Sequence, residues 1–220
     1  MNTGTTSKTS NFYNLIILDE SGSMSAIRKQ ALSGANETIG TIRSAQERFP
    51  EQNHRLTFVT FDSRGRDNLA DNVRTIINDQ PIDQVKLLTE ADYSPMGGTP
   101  LYDAMGVSLS ALEAKVKPED NVLVTIITDG YENASHEYTS KSIKTIVKLL
   151  TDKGWTFAYI GANQDAIEVA GSMGIDNALN YEATEEGSKR MFHMVNECVM
   201  CYCEDISMEE KPKKGSFFKK

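Results

Sequence analysis

Residues Asn121 to Thr128 read Asn-Val-Leu-Val-Thr-Ile-Ile-Thr, the most apolar stretch of the chain. It is too short to cross a bilayer, which takes about 18 or more apolar residues. A run this uniform, without polar alternation, is expected of a strand covered on both faces, and such strands belong to parallel sheets. The rest of the chain must therefore supply further strands beside it and helices to cover them. Other segments read accordingly. Residues 12–18 (Phe-Tyr-Asn-Leu-Ile-Ile-Leu) form a second buried strand, and Arg55 to Phe61 and Trp155 to Ile160 are two more. Residues 72–77 alternate as an edge strand does, 78–98 are mostly loop, and a short strand is expected near Leu179-Asn180-Tyr181.

Helical patterns fall between these strands. From Ala26 to Arg48 the apolar positions Ile27, Ala31, Leu32, Ala35, Ile39, Ile42 and Ala45 recur at three and four residues, and Pro50 ends the run. Gly34 and Gly40 within it are expected to mark close packing on the sheet. Leu101 to Val116 is a helix opened by Pro100. Ser140 to Lys153 is a helix closed by Gly154. A short helix from Gln164 to Met173 and a last one from about Glu185 to Ile206 complete the series. Strand alternating with helix implies an α/β fold, doubly wound, with a mostly parallel central sheet and helices on both faces. We expect a flexible tail over 1–11, one domain over 12–206 and a basic, disordered tail over 207–220.

Charge narrows the function. The net charge is -8, but residues 211–220 hold five lysines and no acid, so the remaining 18 basic and 31 acidic residues leave the body at -13. Such a body repels nucleic acid. No run is long enough for membrane insertion, and the first eleven residues lack the basic-then-apolar pattern of a secretory leader. Three cysteines, all between 198 and 203, make no disulfide framework and fit a reducing compartment, so the expectation is a cytoplasmic protein.

Three polar clusters sit where strands end or helices begin: Asp19-x-Ser21-x-Ser23, Thr99, and Asp129. In open α/β sheets ligands bind outside the carboxyl ends of strands, where the winding reverses. A strand order placing 12–18 beside 121–128 brings all three together. Two carboxylates and three hydroxyls are hard oxygen donors of the kind that Mg²⁺ takes. Alternation along Asp-x-Ser-x-Ser aims every second side chain inward, with the small Gly22 permitting the tight path. Each cluster taken singly also reads as a helix cap or a turn.

Asp19-Glu20-Ser21-Gly22-Ser23, Gly97-Gly98-Thr99-Pro100-Leu101 and Ile127-Thr128-Asp129-Gly130 together resemble a von Willebrand factor A (VWA) domain with its metal-ion-dependent adhesion site, over about residues 12–205. The likeness is to the short, intracellular bacterial branch of that family. It implies Ser21, Ser23 and Thr99 as direct ligands of Mg²⁺ or Mn²⁺, with Asp19 and Asp129 acting mainly through bound water. A protein partner's Asp or Glu would complete the shell. It further implies a binding module rather than an enzyme, serving with an ATPase, kinase or phosphatase system.

Other residues admit two readings. Glu132, Asn133 and Asp62 are either rim residues or solvated loop. His193, Cys198, Cys201 and Cys203 offer soft ligands for zinc, yet on a helix Cys203 leaves the face shared by 198 and 201. His54, His136 and His193 are read in loops or on a helix, with no nucleophile beside them. A metal-independent scaffold and a Mg²⁺-dependent hydrolase or phosphotransferase are the competing functional classes.

Overall fold

The computed structural model describes residues 10–64, 68–162, 165–208 and 216–218. β1 (Ser10–Asp19) is buried from Phe12 to its end and lies between two parallel neighbours, β2 (Gln52–Phe61) and β4 (Asn121–Thr128). β5 (Thr156–Ala162) and β6 (Asn177–Tyr181) extend the sheet in parallel beyond β4, and β3 (Val73–Pro81) joins β2 antiparallel at the other edge. The order is β3-β2-β1-β4-β5-β6, so the winding reverses between β1 and β4. The expected α/β architecture is the observed one.

Helices cover both faces. α1 (Arg28–Arg48) and α6 (Glu185–Ser207) close one side over Phe12, Ile16, Leu18 and Phe58, with α1 turning its Ala31, Ala35, Ile39 and Ile42 inward. α3 (Leu101–Glu113), α4 (Ser140–Asp152) and α5 (Ala166–Ser172) close the other over Leu15, Ile17, Val124 and Ile126. A short helical turn, α2 (Leu69–Asn72), precedes β3. Among the described residues no helix is long and apolar enough to cross a membrane.

Several local expectations change. β3 runs on to Pro81 where a loop was expected after 77. Asn78, Asp79 and Pro81 are poor strand formers, but a register shift opposite Leu56 and Phe58 and the left-handed Asp79 (φ 49°) let pairing continue. Gly34 does mark a close approach, though to α6 rather than to the sheet: a Cβ there would lie 2.1 Å from the Phe192 ring, whereas Gly40 faces open space. The expected tail over 1–11 lies outside the described residues for 1–9, while Ser10 and Asn11 belong to β1. Of the 207–220 tail, 209–215 and 219–220 lie outside them too. Within the stretch expected to be disordered, Phe217 is 6% exposed, packs edge-on to Tyr202 and donates its N–H to Asn177 Oδ1 at 2.9 Å. An aromatic ring has more to gain from that burial than the flanking lysines.

His54 is also placed differently: it lies on β2, fully buried, stacked on Phe12 at 4.5 Å. Its Nδ1 accepts from Asn14 Nδ2 (3.3 Å), which leaves Nε2 to donate to Gln52 Oε1 (3.2 Å), the neutral tautomer. Burial pushes its pKa down to about 4. Between that value and about 6.5 the unfolded chain binds the extra proton and the folded chain does not, so stability falls as pH drops through this window. We expect a loss on the order of 3 kcal/mol from pH 7 to pH 4 from this group. Urea unfolding across the range checks it: His54→Gln flattens the pH dependence, and an unaltered slope would refute the assignment.

Candidate metal centre

The site grows from two consecutive acids at the end of β1. Successive side chains on a strand point to opposite faces, so Asp19 and Glu20 enter different surroundings, both fully buried. Glu20 meets two guanidinium groups, Arg64 at 3.0 Å and Arg74 at 2.7 Å, and accepts the Ser94 N–H at 2.5 Å. Its backbone carbonyl takes the Met96 N–H (2.8 Å), and Gly22 N donates to Gly97 O (3.0 Å). These contacts tie the loop before α3 to the loop after β1.

Asp19 faces the other way. One carboxylate oxygen accepts from Ser21 N at 2.7 Å and the other from Thr128 Oγ1 at 2.5 Å, a bond made across the β1–β4 boundary. Tyr93 OH donates to its carbonyl at 2.6 Å. Ser21 Oγ lies 3.1 Å from Ser23 Oγ, and Ser23 Oγ donates to Asp129 Oδ1 at 2.6 Å. Thr99 joins from the third loop: a Cβ on Gly130 would stand 3.3 Å from Thr99 Oγ1 and 3.7 Å from Ser23 Oγ. The fold therefore gathers Asp19, Ser21, Ser23, Thr99 and Asp129 at one place.

Burial raises the Asp19 carboxyl to about 7, against lowering by its Thr128 and Ser21 hydrogen bonds; Asp129, half-buried, is raised for the same principal reason. Among the described residues neither acid has an ion-pair partner. Glu20 and Asp62 do, the latter with Arg64 Nε at 2.6 Å. Two carboxylates and three hydroxyls, all oxygen and without a protein cation, fit a hard divalent ion. Zinc at the C-terminal cysteines has no such support. The His193 side chain is 77% exposed and points toward Glu197, Cys203 is buried with its thiol pushed up to about 12, and no group of three or more His, Cys, Asp or Glu among the described residues is placed to hold a metal.

The loops are braced by residues that the sequence left between rim and solvated loop or did not single out. Asn133 clamps Thr99 from both sides, its Oδ1 accepting Thr99 N (2.9 Å) and its own N–H donating to Thr99 O (3.1 Å). Glu132 is a brace rather than a rim ligand, since its carboxylate accepts from Tyr102 N, Ala134 N, Ser135 N and Ser135 Oγ. Asp103, on α3, accepts the N–H groups of His136, Glu137 and Tyr138. Asp62 is buried against Arg64 and is structural. No sequence signal distinguishes the Asn133–Thr99 and Asp103–His136 pairings, because each joins segments far apart in the chain.

The tight path expected at Gly22 lies at Gly97 instead. A Cβ on Gly22 would make ordinary contact with Gly97 O at 3.4 Å, whereas Gly97 has φ +74° and a Cβ there would come within 2.4 Å of Arg64 N. Backbone cannot give way as a side chain can.

No protein-family model matches the sequence, and no curated protein does. Solved structures match in fold. The pilus adhesin SpaC from Lactobacillus rhamnosus GG, in an open conformation, superposes with a TM-score of 0.65 at 11% identity, over 87% of this chain and 30% of that one. A von Willebrand factor type A protein from Catenulispora acidiphila gives 0.56 at 14% identity, over 87% and 43%. Proximal thread matrix protein 1 from the mussel byssus, solved with a zinc-occupied MIDAS motif, gives 0.55 at 18%, over 87% and 46%. The chain thus spans less than half of each of these. At such identities the likeness establishes a VWA-like α/β fold.

Gly97→Ala combines a left-handed backbone with a clash against backbone, and we expect it to cost about 2–4 kcal/mol. A urea midpoint lowered at constant slope is the expected result; a midpoint equal to that of the natural chain would show that the loop has slack.

Proposed function

We propose that this chain is a metal-dependent protein-binding module. Ser21, Ser23 and Thr99 hold a divalent cation directly, Asp19 and Asp129 through water, and an acidic side chain of a protein partner completes the shell. The observation that carries this reading is the charge imbalance at the site. Two acids, both with raised pKa and no ion-pair partner among the described residues, share a ring of hydroxyls beside Glu20, which two arginines satisfy. Their hard, all-oxygen donor set favours Mg²⁺ or Mn²⁺. The zinc-occupied motif of the mussel protein supports a divalent ion in a fold of this kind.

A cation held here would supply the positive charge that draws a partner's carboxylate, and the chain's own residues would position it. Asn133 fixes the height of Thr99, and Thr128 fixes the rotation of Asp19. We assign the module to the cytoplasm, on its free cysteines, and to the short intracellular branch of VWA-like proteins. An ATPase, kinase or phosphatase system is the partner we propose for it.

Thermal unfolding with Mg²⁺ or Mn²⁺, against chelator, tests the site. At a metal concentration about 100-fold above Kd, binding contributes about 2.7 kcal/mol, an increase in Tm of about 5–10 °C for a chain of this size. Thr99→Ala abolishes most of the increase. Asp19→Asn also abolishes it, yet in chelator it is at least as stable as the natural chain: the amide oxygen keeps the Ser21 N–H bond, Nδ2 donates to Thr128 Oγ1 once that hydroxyl turns to Gly130 O, and no buried charge remains. A Tm indifferent to metal, or raised equally in both variants, refutes the reading.

A further inference from the structure

Three of the large apolar side chains that the described residues leave exposed stand at the end of the sheet that carries the metal centre. They are Met96 at 54%, Tyr131 at 59% and Ile167 at 66%. Met96 is held in place: its N–H is bonded to Glu20 O, and the next residue, Gly97, accepts from Gly22. It therefore sits between the anchor of the Asp19–Ser23 loop and Thr99. Tyr131 follows Gly130, the residue against which the Thr99 and Ser23 hydroxyls stand. Ile167 lies one strand further out, in the first turn of α5, whose start is fixed by Asn180 Oδ1 accepting Ala166 N (2.8 Å). Single exposed apolar residues are ordinary on a protein surface. Two of them, Met96 and Tyr131, belong to the loops that carry Thr99 and Asp129 and so adjoin the gathered carboxylates and hydroxyls of the centre.

Resting on the function proposed above, we propose that Met96 and Tyr131 form an apolar rim that selects a partner segment in which the metal-seeking Asp or Glu is flanked by apolar side chains. Charge argues against an acid-rich segment. The same end of the sheet carries the exposed acids Asp165 and Glu168 beside Ile167, and Glu137 on the loop after β4. Further carboxylates on the partner meet repulsion there, whereas apolar neighbours bury against Met96 and Tyr131. The rim thus sets specificity, while the centre supplies the attraction that any carboxylate shares.

The test is selection from a heptapeptide pool with a fixed central Glu and randomised flanks, on the full chain loaded with Mg²⁺. In parallel the pool is selected on Met96→Ser/Tyr131→Ser, whose changes are confined to exposed side chains. Leu, Ile, Met and Phe are expected to be enriched beside the Glu on the natural chain and not on the variant. A peptide so selected binds the variant about tenfold more weakly, while the metal-induced rise in Tm is the same in both. Enrichment of acidic or basic flanks, no enrichment at all, or equal binding by the variant overturns the rim. When the rise in Tm persists in those cases, only the rim falls. When the natural chain shows no rise, the metal reading falls with it.

Discussion

Two buried acids in succession, Asp19 and Glu20, are the constraint on which the rest of this structure turns. Burying a carboxylate costs several kcal/mol unless it is paired and hydrogen-bonded. Glu20 meets that demand with Arg64, Arg74 and the Ser94 N–H, and in doing so draws together the segments that follow β2, begin β3 and precede α3. Asp19 meets it only in part, with one backbone N–H and one hydroxyl. The fold therefore uses one acid to build the loops and leaves the other beside them with no compensating charge among the described residues. A cation is the simplest agent to complete that balance, which is why a single strand end serves as both anchor and candidate centre.

The sheet order makes this arrangement accessible. Because β1 pairs with β2 on one side and β4 on the other, Leu18 lies opposite Ile127 and the two strand ends finish level. Thr128 can then reach Asp19, and Asp129 can reach Ser23. The helices leave from the two strands toward opposite faces, so the crevice at the switch point stays open. Loops there are held by side chain to backbone bonds from Asn133, Glu132 and Asp103. Rigidity at the site comes from these braces, since the loops have little regular structure of their own.

Much of this could be read from local pattern, because the properties concerned are local. Strand and helix periods, the apolar β4, Pro50, Pro100 and Gly154 each act within a few residues, and the architecture follows from their alternation. Where pattern misled, a distant partner had decided. Gly34 answers to Phe192 on α6. His54 is a buried strand residue because Phe12, Asn14 and Gln52 enclose it. Residues 78–81 pair through a bulge that composition does not announce, and Phe217 returns to Tyr202 and Asn177 from beyond the lysines.

The candidate site divides along the same line. The sequence alone determined which five oxygen-bearing residues stand at strand ends and helix starts, since the chemistry and spacing of Asp19, Ser21, Ser23, Thr99 and Asp129 are properties of short segments. Only the tertiary structure decided that Asp19 has no counter-charge among the described residues while Glu20 has two, that Gly97 rather than Gly22 makes the close approach, and that Asn133 braces Thr99 instead of decorating a rim. Each depends on which loops lie side by side. That is settled by the packing of a whole sheet and its helices, and no short stretch of chain encodes it.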